Sequence, residues 1–121
     1  SDGHALVAAL VMWLLRDARS LDPSASLRIA VTSRHMLEHF NESLGGVLST
    51  RPQVGELRLD LSSRSSLDSI DVQLLRSIIT AADLARIPVK LDGYDVTMAR
   101  QMLSAGAAMK HFGRPRSHTE V

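Results

Sequence analysis

Three short apolar runs limit what this chain can fold into. They are Leu27–Thr32, Glu56–Leu61 and Val89–Leu91, each of strand length and separated from the next by a segment long enough for an amphipathic helix. That rhythm predicts an α/β fold, a mainly parallel sheet of about four strands with crossover helices. Two of the runs lead into aspartates, Asp60 and Asp92. Both fall at the carboxyl edge of such a sheet, where these folds place their chemistry. The functional question is whether enough polar groups gather at that edge.

The intervening segments carry their own punctuation. A first helix is expected from about Gly3 to Ala18, closed by the turn Leu21-Asp22-Pro23-Ser24, because Pro23 cannot continue it. Ser33 caps the next helix, where Met36, Leu37, Phe40, Leu44, Val47 and Leu48 recur at helical spacing and Gly45-Gly46 weaken the end. Asp68 or Ser69 caps a third, with Ile70, Leu74, Leu75, Ile78, Ile79 and Ala82 as its buried stripe and Ile87-Pro88 as its stop. A fourth runs from Val96 to Ala105, with Ala99, Met102 and Leu103 inward and Gly106 as its C-terminal stop. A last strand is expected at Ala108–His111. Residues 3–113 then make one domain, and 114–121 a flexible polar tail.

Composition narrows the classes further. At 121 residues the chain holds one core, and 45% hydrophobic against 22% charged residues is an ordinary globular balance. A net charge of +1 gives no reason to expect nucleic acid, and Arg114-Pro115-Arg116 is too short to supply one. The absence of cysteine excludes disulfides, thiolate catalysis and cysteine zinc sites, and fits a cytoplasmic protein. The apolar run Ala5–Leu15 is about half a membrane span, so no membrane insertion is expected. It reads instead as a buried helix or an interaction surface carried by Leu6, Leu10, Trp13 and Leu14. The opening Ser1-Asp2-Gly3 reads as an added leader or the cut end of a longer protein.

The order of several blocks resembles the bacterial EAL family, (βα)-barrel phosphodiesterases that cleave cyclic-di-GMP. Ala5–Asp17 with Trp13 resembles the helix before that family's third strand. Ala30-Val31-Thr32-Ser33 with Leu37 resembles V-N-L-S and its following Q-L. Leu57–Ser63 resembles L-E-L-E-I-T-E, Leu91-Asp92-Gly93-Tyr94 resembles L-D-D-F, and Met109-Lys110 resembles the start of L-K-I-D. The likeness spans about residues 5–112 and implies a partial barrel.

The departures carry the functional implication. Val31 stands where the family has a metal-binding Asn, Asp60 for the first Glu of the fourth-strand motif, and Ser63 for the second. Asp92 keeps the first Asp of D-D-F, Gly93 replaces the second, and Lys110 stands for the family lysine. The E-A-L segment, the first barrel strands and the late E-G-V-E segment have no counterpart. A two-metal hydrolytic site needs several carboxylates. Asp60, Asp92 and Lys110 would then form only a vestigial ligand or metal edge.

The resemblance therefore implies a degenerate, non-catalytic domain in cyclic-di-GMP signalling, with no cofactor. It would act through protein contacts, a homodimer among them, or through residual cyclic-di-GMP binding. A barrel cut to four strands has open edges that favour pairing.

Plainer readings stand beside these. Asp60 and Asp92 cap turns, Asp92–Asp95 is a turn with Gly93 at positive φ, and Lys110 is a solvated lysine. His35 and His39 share the i, i+4 spacing of a metal pair but read as an exposed helix face. A functional alternative is a STAS-like regulatory module of the anti-sigma-factor antagonist type, which Leu59-Asp60-Leu61, Leu67-Asp68-Ser69 and Leu91-Asp92-Gly93 resemble. Ser69 would then be the phosphorylated residue.

Overall fold

The computed structural model describes residues 26–49 and 56–116. In order they form β1 (Ser26–Ala30), α1 (Arg34–Ser49), β2 (Glu56–Asp60), α2 (Ser69–Leu84), β3 (Val89–Asp92), α3 (Val96–Ser104) and a 3₁₀ turn at Met109–His111. The first helix expected from sequence, with Leu6, Leu10, Trp13 and Leu14, lies outside the described residues.

The α/β class and the parallel sheet are as expected. The sheet runs β1-β2-β3 in sequential order, with Leu57 opposite both Leu27 and Val89, and Leu59 opposite both Ile29 and Leu91. Side chains alternate across a strand, so this register lines up one apolar face. Ile29, Leu57, Leu59, Val89 and Leu91 are buried there with Leu37 and Phe40 of α1, Leu75 and Ile78 of α2, and Met98 and Met102 of α3. All three helices thus cover the same face. Burying each such large side chain is worth about 1.5–3 kcal/mol, so this single cluster is what holds the layers together.

The helix ends follow local chemistry. Met36 N–H donates to Ser33 Oγ at 3.3 Å, as an N-cap should. Of the two candidates for the α2 cap, Asp68 takes the position in a reciprocal box with Asp71. The α2 stop comes before Ile87-Pro88: Ala85 caps the helix and Arg86 turns the chain at φ 62°. Asp95 caps α3 by accepting from Met98 N–H at 2.8 Å.

Four expectations need correction. The fourth strand does not lie at Ala108–His111, where the chain makes the 3₁₀ turn, and among the described residues the sheet has three strands. Residues 112–116 run irregularly beside β3 instead, with parallel bridges Leu91–Phe112 and Tyr94–Pro115. Arg114, Pro115 and Arg116 accordingly do not belong to a loose tail. Finally, Ile70 and Leu103 are 47% and 43% exposed. Each lies five helical steps, roughly 140° round, from a buried residue of its helix, Leu75 or Met98 respectively.

Candidate functional site

The opposite face of the sheet carries the polar half of each strand. The register stacks it in rows: Ser26 beside Glu56, then Arg28, Arg58 and Lys90, then Ala30, Asp60 and Asp92. A row of cations therefore sits one step below a row of carboxylates. Each arginine reaches diagonally to the aspartate of the next strand.

Arg28 Nη2 donates to Asp60 Oδ2 at 3.1 Å. Arg58 repeats the motion with a two-pronged grip, Nε to Asp92 Oδ2 at 2.8 Å and Nη2 to Asp92 Oδ1 at 2.9 Å. Its Nη1 also holds Glu56 Oε1 at 2.6 Å. Lys90, the third cation, has no following strand to reach among the described residues, and its Nζ donates to the Lys110 carbonyl at 2.6 Å.

These contacts set the ionisation. Burial pushes the Asp92 carboxyl up, but the Arg58 guanidinium and the Arg114 N–H outweigh it and hold it below the usual range. Burial likewise opposes ionisation of Asp60, and the Ser62 and Arg28 hydrogen bonds more than offset it. Glu56 is lowered by its hydrogen bonds from Arg58 and Ser26. The Arg58 guanidinium is itself pushed up by Asp92 and Glu56.

Above the carboxylate row the loops close in. Gly93 turns the chain at φ 68°, as the turn reading expects, and passes so close to Ser62 that an added Cβ would lie 2.7 Å from it. Arg114 N–H donates to Asp92 Oδ1 at 2.9 Å. Arg116 joins three segments: Nη2 donates to the Leu61 and Arg64 carbonyls at 3.2 and 2.8 Å, and Nε to the Gly93 carbonyl at 3.2 Å. Ser63 Oγ ties the β2–α2 loop to the Val31 carbonyl at 3.1 Å. The result is a groove of about 560 Å³ bordered by the strand face and residues 114–116.

A metal pair of the kind the resemblance implies does not fit these residues. Asp60 Oδ1 already accepts the Ser62 N–H at 3.0 Å, so every oxygen of the two carboxylates has a donor. A cation there would have to compete with the Arg28 and Arg58 guanidiniums for the two carboxylates. Among the described residues no group of three or more His, Asp or Glu side chains could hold a metal ion.

Of the sequence-derived edge residues, Asp60 and Asp92 share the groove but Lys110 does not. It sits exposed on the 3₁₀ turn, in a hollow with Pro88 and Val89 at the amino end of β3. His35 lies exposed on α1, 3.9 Å from Glu38. Ser69 is exposed at the start of α2, between Asp68 and Asp71.

Sequence reasoning missed Arg28, Arg58 and Arg116, because it searched for carboxylates and metal ligands. A usable signal was present: Arg58-Leu59-Asp60 and Lys90-Leu91-Asp92 repeat basic–apolar–acidic at the same strand position. It also missed a second ion-pair cluster, in which Arg34 pairs with Asp68 and Arg64 Nη2 holds the buried Asp71 Oδ2 at 2.8 Å.

Comparison with protein-family models, with curated proteins and with solved structures finds no match to this chain. Among the described residues no helix is long and apolar enough to cross a membrane.

Proposed function

We propose that this chain is a non-catalytic, EAL-like interaction domain of the cyclic-di-GMP signalling type, working by protein contact or by holding the nucleotide without cleaving it. The observation that carries the reading is the arginine on each edge aspartate. A hydrolytic metal site needs carboxylates available to cations, and here Arg28 and Arg58 occupy them. Sequential strand order with the three described helices on one face is also how an arc of a (βα) barrel is built, which supports a partial barrel. Homodimerisation, proposed from the Ala5–Leu15 run, belongs to the same reading.

The STAS-like alternative has less behind it. A phosphate on Ser69 would meet the carboxylates of Asp68 and Asp71, and like charges oppose it there.

The test is calorimetric titration of the whole chain with cyclic-di-GMP, with and without magnesium, beside a hydrolysis assay and a measured solution mass. Saturable heat without product supports a nucleotide receptor. No heat with a folded chain leaves protein contact as the function. Turnover above background overturns the proposal.

A further inference from the structure

A second hollow lies on the far side of the molecule from the strand groove, between α2 and α3. Its walls are Ser69, Gln73 and Arg76 of α2 and Thr97, Arg100 and Ser104 of α3, and its volume is about 640 Å³. Each set recurs at three- and four-residue intervals, so each is one continuous helix face. Val72, nearly buried, supplies part of the floor.

Its electrostatics differ from those of the strand face. No carboxylate lines it, and among the described residues neither Arg76 nor Arg100 has an ion-pair partner. The hydroxyls of Ser69, Thr97 and Ser104 and the Gln73 carboxamide can donate hydrogen bonds, while Gln101 Nε2 is already given to the Leu67 carbonyl at 2.8 Å. Arg76 extends toward the end of α3, where a Cβ on Gly106 would come within 3.2 Å of its guanidinium carbon. Along α3, Val96, Arg100 and Leu103 form one stripe at i, i+4, i+7, with Val96 and Leu103 63% and 43% exposed. The surface thus offers two uncompensated cations beside an apolar shoulder.

We propose that this groove docks an acidic amphipathic segment of a partner protein, carboxylates against Arg76 and Arg100 and an apolar side chain against Val96 and Leu103. Charge complementarity selects the sign of the partner. The exposed valine and leucine select a peptide over a bare anion, because a partner buries apolar area there. The proposal rests on the reading of the chain as a contact domain and is independent of cyclic-di-GMP binding, which concerns the other face.

The experiment uses the full chain, isotope-labelled, titrated with a synthetic amphipathic helix of about 15 residues carrying glutamate and leucine on one face. The same peptide with lysine for glutamate, and a short single-stranded DNA, serve as controls. Saturable shifts at Arg76, Val96, Arg100 and Leu103 are expected with the acidic peptide alone. R76E/R100E should weaken that binding about tenfold or more, and the variant's dispersed spectrum shows that it folds.

Three outcomes overturn the proposal: no saturable shift, equal binding of the DNA, or shifts that the double reversal leaves unchanged. Groove signals that move with protein concentration alone assign the surface to a second copy and also overturn it. A failure here with cyclic-di-GMP binding intact removes the groove and keeps the receptor, and the converse result does the reverse.

Discussion

The strand face and the α2–α3 groove are hollows of similar size, about 560 and 640 Å³, and both are lined by arginine, yet they differ in what their charges face. On the strand face four arginines meet three carboxylates, and the register aims Arg28 and Arg58 at aspartates one strand over. In the groove two arginines meet none. The number of charges does not separate a structural surface from a receptive one. What separates them is whether a charge already has its partner, because a paired ion resists a ligand that an unpaired one attracts.

The sharpest way to break that comparison is to remove the strand-face partner. Arg58→Met leaves the nearly buried Asp92 carboxylate with only the Arg114 N–H. Losing one member of a buried pair costs about 3–5 kcal/mol. Arg58 is itself partly exposed, so a loss of about 2–3 kcal/mol in urea unfolding is expected. Arg58→Lys, which loses the two-pronged geometry, should fall between variant and parent. A loss below about 0.5 kcal/mol for Arg58→Met would place the strand face among ordinary solvated surfaces and remove the contrast.

The same comparison shows what a sequence reader could see. The strands and crossovers were legible because apolar alternation in Leu57–Leu61 and the stripe through Leu75, Ile78 and Ala82 are local patterns. The segment at 112–116 was not, since Gly113 and Pro115 carry no strand pattern and it is held by backbone bonds to Leu91, Gly93 and Tyr94. Asp60 and Asp92 were legible as an edge pair. Their partners were not, because Arg58 and Asp92 are 34 residues apart and meet only once the register of β2 on β3 is fixed. Lys110 failed for the opposite reason: a likeness of sequence order put it near the aspartates, and the 3₁₀ turn carried it to the other end of the strand.

Acid sharpens the contrast next. The carboxyls of Asp92, Asp60 and Glu56 are all held below their ordinary values in the fold. The unfolded chain then binds more protons than the native one in acid, so stability rises with pH there. The contribution is complete above the ordinary carboxylate range and is lost as pH falls from about 5 toward about 3. Urea midpoints across that interval should drop for the parent and drop less for Arg58→Met, which has lost the cause of the Asp92 shift. Equal slopes in the two proteins would mean that Arg58 does not set it. The groove arginines face no carboxylate and contribute nothing to this slope.

A smaller effect is expected within the strand face itself. Asp60→Asn removes a pair whose arginine is 62% exposed, and such pairs contribute about 0–1 kcal/mol. The amide can still accept the Ser62 N–H. A loss under about 1 kcal/mol, reduced by added salt, is the expected result. A loss matching that of Arg58→Met would show that the two diagonal pairs act as one network rather than as an exposed copy and a buried one.

Smallest of all is the effect on folding of emptying the groove. Arg100→Ala on the exposed face of α3 removes no described ion pair, and alanine favours the helix, so stability should stay within about 0.5 kcal/mol of the parent. If the substitution instead destabilises the chain by about 1 kcal/mol or more, Arg100 is holding the fold, and its freedom to meet a partner is lost as an argument. If stability is unchanged or slightly raised, the groove carries a charge that the fold does not need. That is the reverse of the strand face, where the corresponding substitution removes a charge on which a buried carboxylate depends.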